Sequence, residues 1–367
     1  MEVPPPDIFV REVETAIGAL IQASKLSQLI VSSTDKGTIT KDDLSPVTIA
    51  DFAVQALLIS SFKEAFPNDT FVGEEDAADL RANDALMSRV WGLLNTIAQD
   101  ELTQQGACKL PQSKAHMCDL IDQAGSSSPG GPGSGRVWVF DPIDGTKTYV
   151  RGELYAINIG LIVDGKQAFG AVACPNLSLR HTGDLKNESA DPNGNGCILL
   201  AIKGHGAFYR YLDEHNKELK SNLFSIPSTF AGNHTGFVTC TGLVDSALDG
   251  VHDVVAQRLG LRFPGSDIVP WVVRWAALAL SIGSVTVWVY KRRDRYAKAW
   301  DHAGAMLLFE ETGGKITDVH GKDIDLSAGR KLSNNFGFVA APAALHSKVL
   351  GIVQDVLKEQ GRDEFLQ

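Results

Sequence analysis

Cysteine is scarce. The five present among 367 residues (Cys108, Cys118, Cys174, Cys197 and Cys240) are odd in number and show no Cys-x-x-Cys spacing. That excludes a disulfide framework and a cysteine zinc site, and it suits a reducing compartment. Positive charge is in short supply as well: 34 Lys and Arg stand against 44 Asp and Glu, a net charge of −10. Binders of nucleic-acid polymers or anionic membranes normally carry a basic surface, so neither partner is expected. An anionic substrate would need local cationic groups or metal ions. The start, MEVPPPDIFVREVETAIG, lacks the basic n-region and long apolar h-region of a secretory signal. The expected location is cytoplasmic, with the nucleus as an addition. No internal repeat is present, and nothing chooses between a monomer and a homodimer.

Long apolar runs are also few. The one that matters, IVPWVVRWAALALSIGSVTVWVY (268–290), is long enough to span a bilayer. It contains Arg274, however, and changes character at Gly283, from Ala- and Leu-rich to β-branched and aromatic. A buried helix feeding a buried strand explains that switch better than a membrane span.

What the chain does contain is ordinary globular composition, 44% hydrophobic and 21% charged, at a length that supports one large domain or two subdomains. Apolar residues at three- and four-residue steps predict helices over 7–33 and 45–67, the second stopped by Pro67. TFVGEED reads as a strand entering an acidic turn, and a helix is expected over roughly 83–104. SSSPGGPGSG (126–135) ends a flexible insertion expected over about 104–135. Beyond it RVWVFD, LYAINIGLIVDG, QAFGAVACP, GCILLAIKG and GAFYRYL read as strands with hairpin turn signals. The stretch 181–196 reads as an exposed loop. The last third predicts a strand near 236–240, helices near 245–259 and after Trp300, strands GKITDV and FGFVAAP, and a closing helix from Ala344. Layered α and β with mixed sheets is the fold class. The expected division is an N-terminal α+β unit (1–180) and a C-terminal α/β unit (197–367).

Acidic residues stand at the ends of apolar segments: Asp51 in SPVTIADFAVQ, Glu74 in FVGEED, Asp141 and Asp144 in FDPIDGT, and Asp301 in KAWDHAGAMLLFEETGG. Taken singly each has an ordinary explanation. Asp51 fits a solvated helix position, Glu74 and Glu75 a surface turn, Asp301 a helix N-cap. Together they offer the hard oxygen ligands that Mg²⁺ takes. In DPIDG, Pro142 fixes the backbone, Gly145 permits a turn and close approach, and the Ile143 carbonyl can face inward. Asp141 and Asp144 can then share a cation that relieves their repulsion. Two such ions about 3.5–4 Å apart are a device for phosphoryl transfer. TKTYVRG, starting at Thr146, can begin a helix whose first N–H groups face a phosphate.

DPIDGTKTYVRGELYAIN, VGEED, SPVTIADFAVQ and WDHAGAMLLFEETGG resemble the signature segments of the inositol monophosphatase superfamily. Within it, DGTK, RGE, ACPNLSL and AIKGHGAFY are similar to the fungal-type 3′(2′),5′-bisphosphate nucleotidase branch. The resemblance runs from about residue 7 to 355. It implies a layered αβαβα fold and a Mg²⁺-dependent, lithium-sensitive phosphomonoesterase acting on a small phosphorylated metabolite, adenosine 3′,5′-bisphosphate first. It implies a first metal site from Glu74, Asp141 and the Ile143 carbonyl, and a second from Asp141, Asp144 and Asp301. Asp51 and Thr146 would orient and deprotonate the attacking water, with a third ion beside Asp51 as an option and Thr48 as its support. Gly145, Thr146 and Arg274 are the substrate-contact candidates.

The substrate half departs from the branch. Leu243, in VTCTGLVDS, stands where a histidine is expected. Trp271 stands near a serine's place, and Trp288 near an arginine's, with Arg274 as a cationic stand-in. A site that loses hydrogen bonds loses discrimination. That keeps open a paralogue for an inositol phosphate, sugar phosphate or pathway intermediate, and a catalytically weak sensor. Arg292, Arg293, Arg295 and Lys298 fit either an anion-binding rim or a solvated loop. His302 fits either a supporting role beside Asp301 or plain packing.

Overall fold

The apolar spacing near the N-terminus becomes two helices, α1 (Val10–Val31) and α2 (Ile49–Ala65), with β1 (Ile39–Thr40) and β2 (Pro46–Val47) paired between them. The computed structural model describes residues 8–31, 39–40, 46–131, 133–191, 196–212, 223–228 and 236–367. The expected helix residues 7 and 32–33, the first residue of SPVTIADFAVQ (Ser45), Pro132 and the loop residues 192–195 lie outside them.

After β3 (Thr70–Gly73) come α3 (Ala78–Ala82), α4 (Asp84–Thr96) and α5 (Glu101–Gln104). The single helix expected over 83–104 is thus two. Asp100 breaks it, accepting from Leu102 N (3.1 Å) as the cap of α5 while Gln22 and Lys25 of α1 bond the same carboxylate. The insertion expected to be flexible over 104–135 carries a further helix, α6 (Lys114–Ser126). Ser113 caps it (His116 N to Ser113 Oγ, 3.1 Å), and Met117, Cys118, Leu120, Ile121 and Ala124 are buried. Those residues have helical spacing that the adjoining Gly/Ser/Pro run obscures.

β4 (Arg136–Asp144) leads through α7 (Thr146–Tyr149) to β5 (Ala156–Val163) and β6 (Lys166–Cys174). β7 (Cys197–Ile202), β8 (Gly206–Tyr211) and β9 (Phe224–Ile226) follow. With β3 they make one sheet in the order β3-β4-β5-β6-β7-β8-β9, antiparallel except for the parallel β3–β4 pair. The expected division between 180 and 197 falls inside this sheet, between the paired strands β6 and β7.

β10 (Val238–Thr239) and β11 (Ser266–Asp267) pair in parallel. Between them α8 (His252–Arg258) is shorter than the helix expected over 245–259. The preceding backbone is taken up elsewhere: Leu248 N donates to Val289 O, and Lys291 N to Ser246 O. The apolar run 268–290 divides as its composition predicts, into α9 (Trp271–Ala279) and β12 (Thr286–Trp288), and no helix among the described residues is long and apolar enough to cross a membrane. α10 (Ala305–Glu311), β13 (Gly314–Thr317), β14 (Phe338–Pro342) and α11 (Ala343–Glu359) complete the chain, with a three-stranded sheet in the order β12-β14-β13.

The layers follow from burial on both faces of each sheet. Trp138 and Phe140 of β4 turn to one side, where they pack with Phe52 and Phe62 of α2. Val137 and Val139 turn to the other, in one core with Trp275, Met306 and Phe338. The sequence of layers is α1 and α2, large sheet, α9 and α10, small sheet, α8 and α11. This is the αβαβα arrangement expected.

The middle helices approach the large sheet through glycine. Gly160 and Gly170 are cross-strand partners, and a Cβ on Gly170 would lie 2.2 Å from Gly304 O. Asn158 Nδ2 donates to Trp300 O (2.6 Å) and Ala303 O (2.8 Å), and Gly304 N donates to Gln167 Oε1 (2.8 Å). The backbone around Asp301 is therefore laid directly on β5 and β6. Gly170→Ala is expected to destabilise the fold by about 3 kcal/mol through overpacking. Denaturant unfolding measures it, and an unchanged midpoint would contradict so close a contact.

Candidate active site

Side chains alternate along a strand, so residues 141 and 144 should face opposite sides of the sheet. They do not, because β4 carries a bulge between them. Asp141 pairs with Asn158 and Asp144 with Ala156, so β4 uses one residue more than β5 over the same span. Pro142 suits this place, since a bulge spares the donor that proline lacks. The extra residue brings both carboxylates to one side, where Asp301 meets them. Oxygens of Asp141, Asp144 and Asp301 lie within 4.8 Å of one another.

Asp301 sits in a 3-10 turn, Ala299–Asp301, ahead of α10, whose N-cap is Gly304. The ordinary explanation of Asp301 as an N-cap is not realised. Asp144 serves instead as a cap for α9: Val272 N donates to its Oδ2 (2.6 Å) and Trp271 N to its Oδ1 (3.3 Å). Pro270, the residue preceding the helix, has no side chain able to do this, so the carboxylate comes from 127 residues away.

The triad is electrostatically strained. Burial, and then the charges of Glu74, Asp144, Asp301 and Asp51, hold the Asp141 carboxyl well above its usual range. Burial and the charges of Asp144 and Glu74 do the same to Asp301. Asp144 is pushed up to about 7, chiefly by burial, with the α9 amides and Arg274 pulling the other way. Asp141 Oδ1 is buried and has no hydrogen-bond partner. Clustered, dehydrated carboxylates with a spare buried oxygen fit a hard divalent cation well. Glu74 stands outside the tight triad, half-buried at the end of β3, and near enough for its charge to act on all three.

Asp51 is 1% exposed, so it is not the solvated helix residue of the ordinary explanation. It closes a capping box with Thr48, whose N (2.7 Å) and Oγ1 (2.6 Å) both donate to Asp51 Oδ2. The support expected from Thr48 is present. Thr146 begins α7, only four residues long, and its hydroxyl donates to the Ile143 carbonyl (3.2 Å). Gly145 has φ +85°, and a Cβ there would lie 2.4 Å from Pro270 Cγ. Only glycine lets the turn rest against the start of α9.

The substrate candidates fall differently. Arg274 is fully buried. Its Nε and Nη2 donate to Ile268 O (2.7 Å) and Val269 O (2.8 Å), and its guanidinium lies over the rings of Trp271 (4.1 Å) and Trp288 (4.7 Å). It offers no exposed cation in this arrangement. Leu243 packs against the same core. The basic run divides: Arg292 pairs with Asp294, Arg293 bonds Gln367 O, and Lys298 turns over the Trp300 ring. Lys298, Trp300 and Arg330 share with Phe52, Glu74, Glu75, Asp76 and Asp79 a cleft of about 210 Å³. His302 is packed. Trp275 Nε1 donates to its Nδ1 (3.1 Å), and Trp271 and Phe338 flank the ring.

Sequence reasoning missed Gln55 and Arg330. Gln55 grips the Glu75 backbone from both sides, accepting from its N and donating to its O, each at 2.8 Å. A polar residue one turn after Asp51, in the otherwise apolar stretch 52–59 of the helix, was the available signal. Arg330 had none.

The profile of the inositol monophosphatase family matches residues 8–358, and the chain belongs to that family, a class of phosphatase hydrolases. Among curated proteins it is 36% identical over 357 residues to the 3′(2′),5′-bisphosphate nucleotidase of Emericella nidulans, covering 95% of this chain and 99% of the relative. It is 37% identical over 350 residues to the 3′(2′),5′-bisphosphate nucleotidase of Schizosaccharomyces pombe, covering 93% and 94%. Among solved structures it resembles an IMPase of Thermotoga maritima with a TM-score of 0.55 at 17% identity, covering 95% of this chain and 98% of that one.

The raised carboxylates give a pH signature. Asp144 titrates near 7 when folded, against about 3.9 in an unfolded chain. Between these values the folded state holds the extra proton, so this group's contribution to metal-free stability falls as pH rises from about 4 to 7 and is level above that. Over the same span burial keeps His252 neutral down to about 4 and lowers the pKa of His302 and His346 as well, and these groups work in the opposite sense. Between pH 5 and 7 the Tm of chelator-treated protein should fall by a few degrees relative to that of Asp144→Asn, which keeps the histidines, and millimolar Mg²⁺ should abolish the relative fall. A wild-type Tm that holds level with the variant's or gains on it over that interval would contradict the assignment.

Proposed function

We propose that the chain is a Mg²⁺-dependent phosphomonoesterase that removes the 3′-phosphate from adenosine 3′,5′-bisphosphate, leaving AMP and phosphate. The convergence of Asp141, Asp144 and Asp301 carries the reading, and the names of the full-length relatives support the substrate. Asp141, Asp144 and Asp301, joined by Glu74 and the Ile143 carbonyl, would hold two ions, with a third beside Asp51 as the finer option. Bound Mg²⁺ would supply Lewis-acid charge that offsets the carboxylates, activates water and stabilises the departing ester oxygen.

The chain's own groups do the rest. Asp51, its Oδ2 fixed by the two Thr48 donors, accepts a proton from the attacking water. Thr146, tied to the Ile143 carbonyl, orients that water from the other side. The water oxygen forms its bond to phosphorus as the bond to the ribose oxygen breaks, the ribose oxygen takes up a proton from solvent on leaving, and Asp51 returns its proton to solvent. Gly145 keeps the turn that carries Asp144 and Thr146 close against Pro270. Because water is the nucleophile, no side chain is phosphorylated. The predicted setting is the cytoplasm, with a small phosphorylated metabolite as the only partner required.

Phosphate release from adenosine 3′,5′-bisphosphate, inositol 1-phosphate and inositol 1,4-bisphosphate tests this. The nucleotide should be turned over fastest. Asp144→Asn and Asp51→Asn should each lower kcat by at least about a hundredfold. Turnover confined to an inositol phosphate would overturn the substrate, and release undiminished in both variants would overturn the site.

A further inference from the structure

Glu74 and Asp301 come from segments with little local structure of their own. Glu74 follows the last residue of β3, and Asp301 ends a three-residue turn. Their separation needs an external support, and one side chain reaches both.

Arg330 lies on the loop between β13 and β14, half-buried. Its Nη2 donates to Gly73 O (2.7 Å) and Glu74 O (3.2 Å), and its Nη1 to Ala124 O (3.2 Å) and Ser127 O (3.1 Å). Four carbonyls from the β3 end and the α6 end thus converge on one guanidinium. The same group lies 4.6 Å over the ring of Trp300, the residue before Asp301. Its backbone is tied to that segment too, since Ala299 N donates to Arg330 O (2.9 Å) and Leu332 N to Ala297 O (3.0 Å). Gln55 secures the next residue, Glu75, from the α2 side.

We propose that Arg330 is a positioning residue, a staple that sets the distance between the Glu74 and Asp301 segments and so the affinity of the site for its divalent cation. This rests on reading those two residues as cation ligands. A planar fork is required. Guanidinium directs two donors to each pair of carbonyls while presenting a flat face to Trp300, and the compact ammonium of lysine does neither. Groups that orient metal ligands from outside are worth about 10–100-fold in metal affinity.

Titration calorimetry of the full chain with Mg²⁺ alone is the test. Arg330→Met, which keeps an apolar stem over Trp300, should raise Kd for Mg²⁺ by about tenfold or more, and Arg330→Lys should fail to restore it. Val353→Ala, a cavity in the distant α11 core, should lower Tm while leaving that Kd unchanged. At saturating Mg²⁺ the Arg330 variants should regain most of their kcat, because the staple acts through ligand placement. A folded Arg330→Met with Kd within twofold of wild type overturns the proposal. So does failure of both Arg330 variants to fold, which would make the residue a support of the fold at large. Wild-type protein that binds no Mg²⁺ would overturn the cation site itself, and the staple with it.

Discussion

Three carboxylates that repel one another, two of them buried and the third half-buried, are the constraint on which the rest of this structure turns. Asp141, Asp144 and Asp301 converge to within 4.8 Å at the meeting of the large sheet and the middle helical layer. Left to themselves such groups would move apart, take up protons or draw in water. The fold prevents the first. A proline-bearing bulge turns Asp141 and Asp144 to one side, the amides of α9 grip Asp144, and a glycine pair on β5 and β6 lets the Asp301 turn lie on the sheet. Strain of this kind persists where function requires it, and a divalent cation removes it.

Other features become intelligible as supports of that arrangement. Arg274 is buried between two tryptophans at the start of α9, where its charge favours an ionised Asp144. Thr48 and Asp51 form a capping box that would be unremarkable on any helix. Here it also fixes a carboxylate whose charge acts on Asp141. The polar groups around the triad thus serve both the stability of their own elements and the geometry of the site.

The acidic residues that cluster were legible in the sequence because each stands at the end of an apolar run, and the layered fold because strand and helix periods alternate clearly. What made Asp141 and Asp144 neighbours was not legible. Their spacing alone sends them to opposite faces, and only the register against Asn158 and Ala156 shows the extra residue. α6 was hidden by the Gly/Ser/Pro run beside it. The helix over 245–259 was overextended because backbone pairing of residues 246 and 248 with the chain near β12 outcompetes local helix propensity. Arg330 meets Glu74 across 256 positions, a contact that only the folded chain reveals.

The central claim is that the triad is a cation site. Anomalous diffraction from crystals soaked in Mn²⁺, a hard divalent stand-in, would test it most directly. The account predicts strong anomalous peaks bounded by oxygens of Asp141, Asp144 and Asp301, with a further ligand from Glu74 or the Ile143 carbonyl. Manganese bound elsewhere, with these carboxylates still clustered and metal-free, would contradict it.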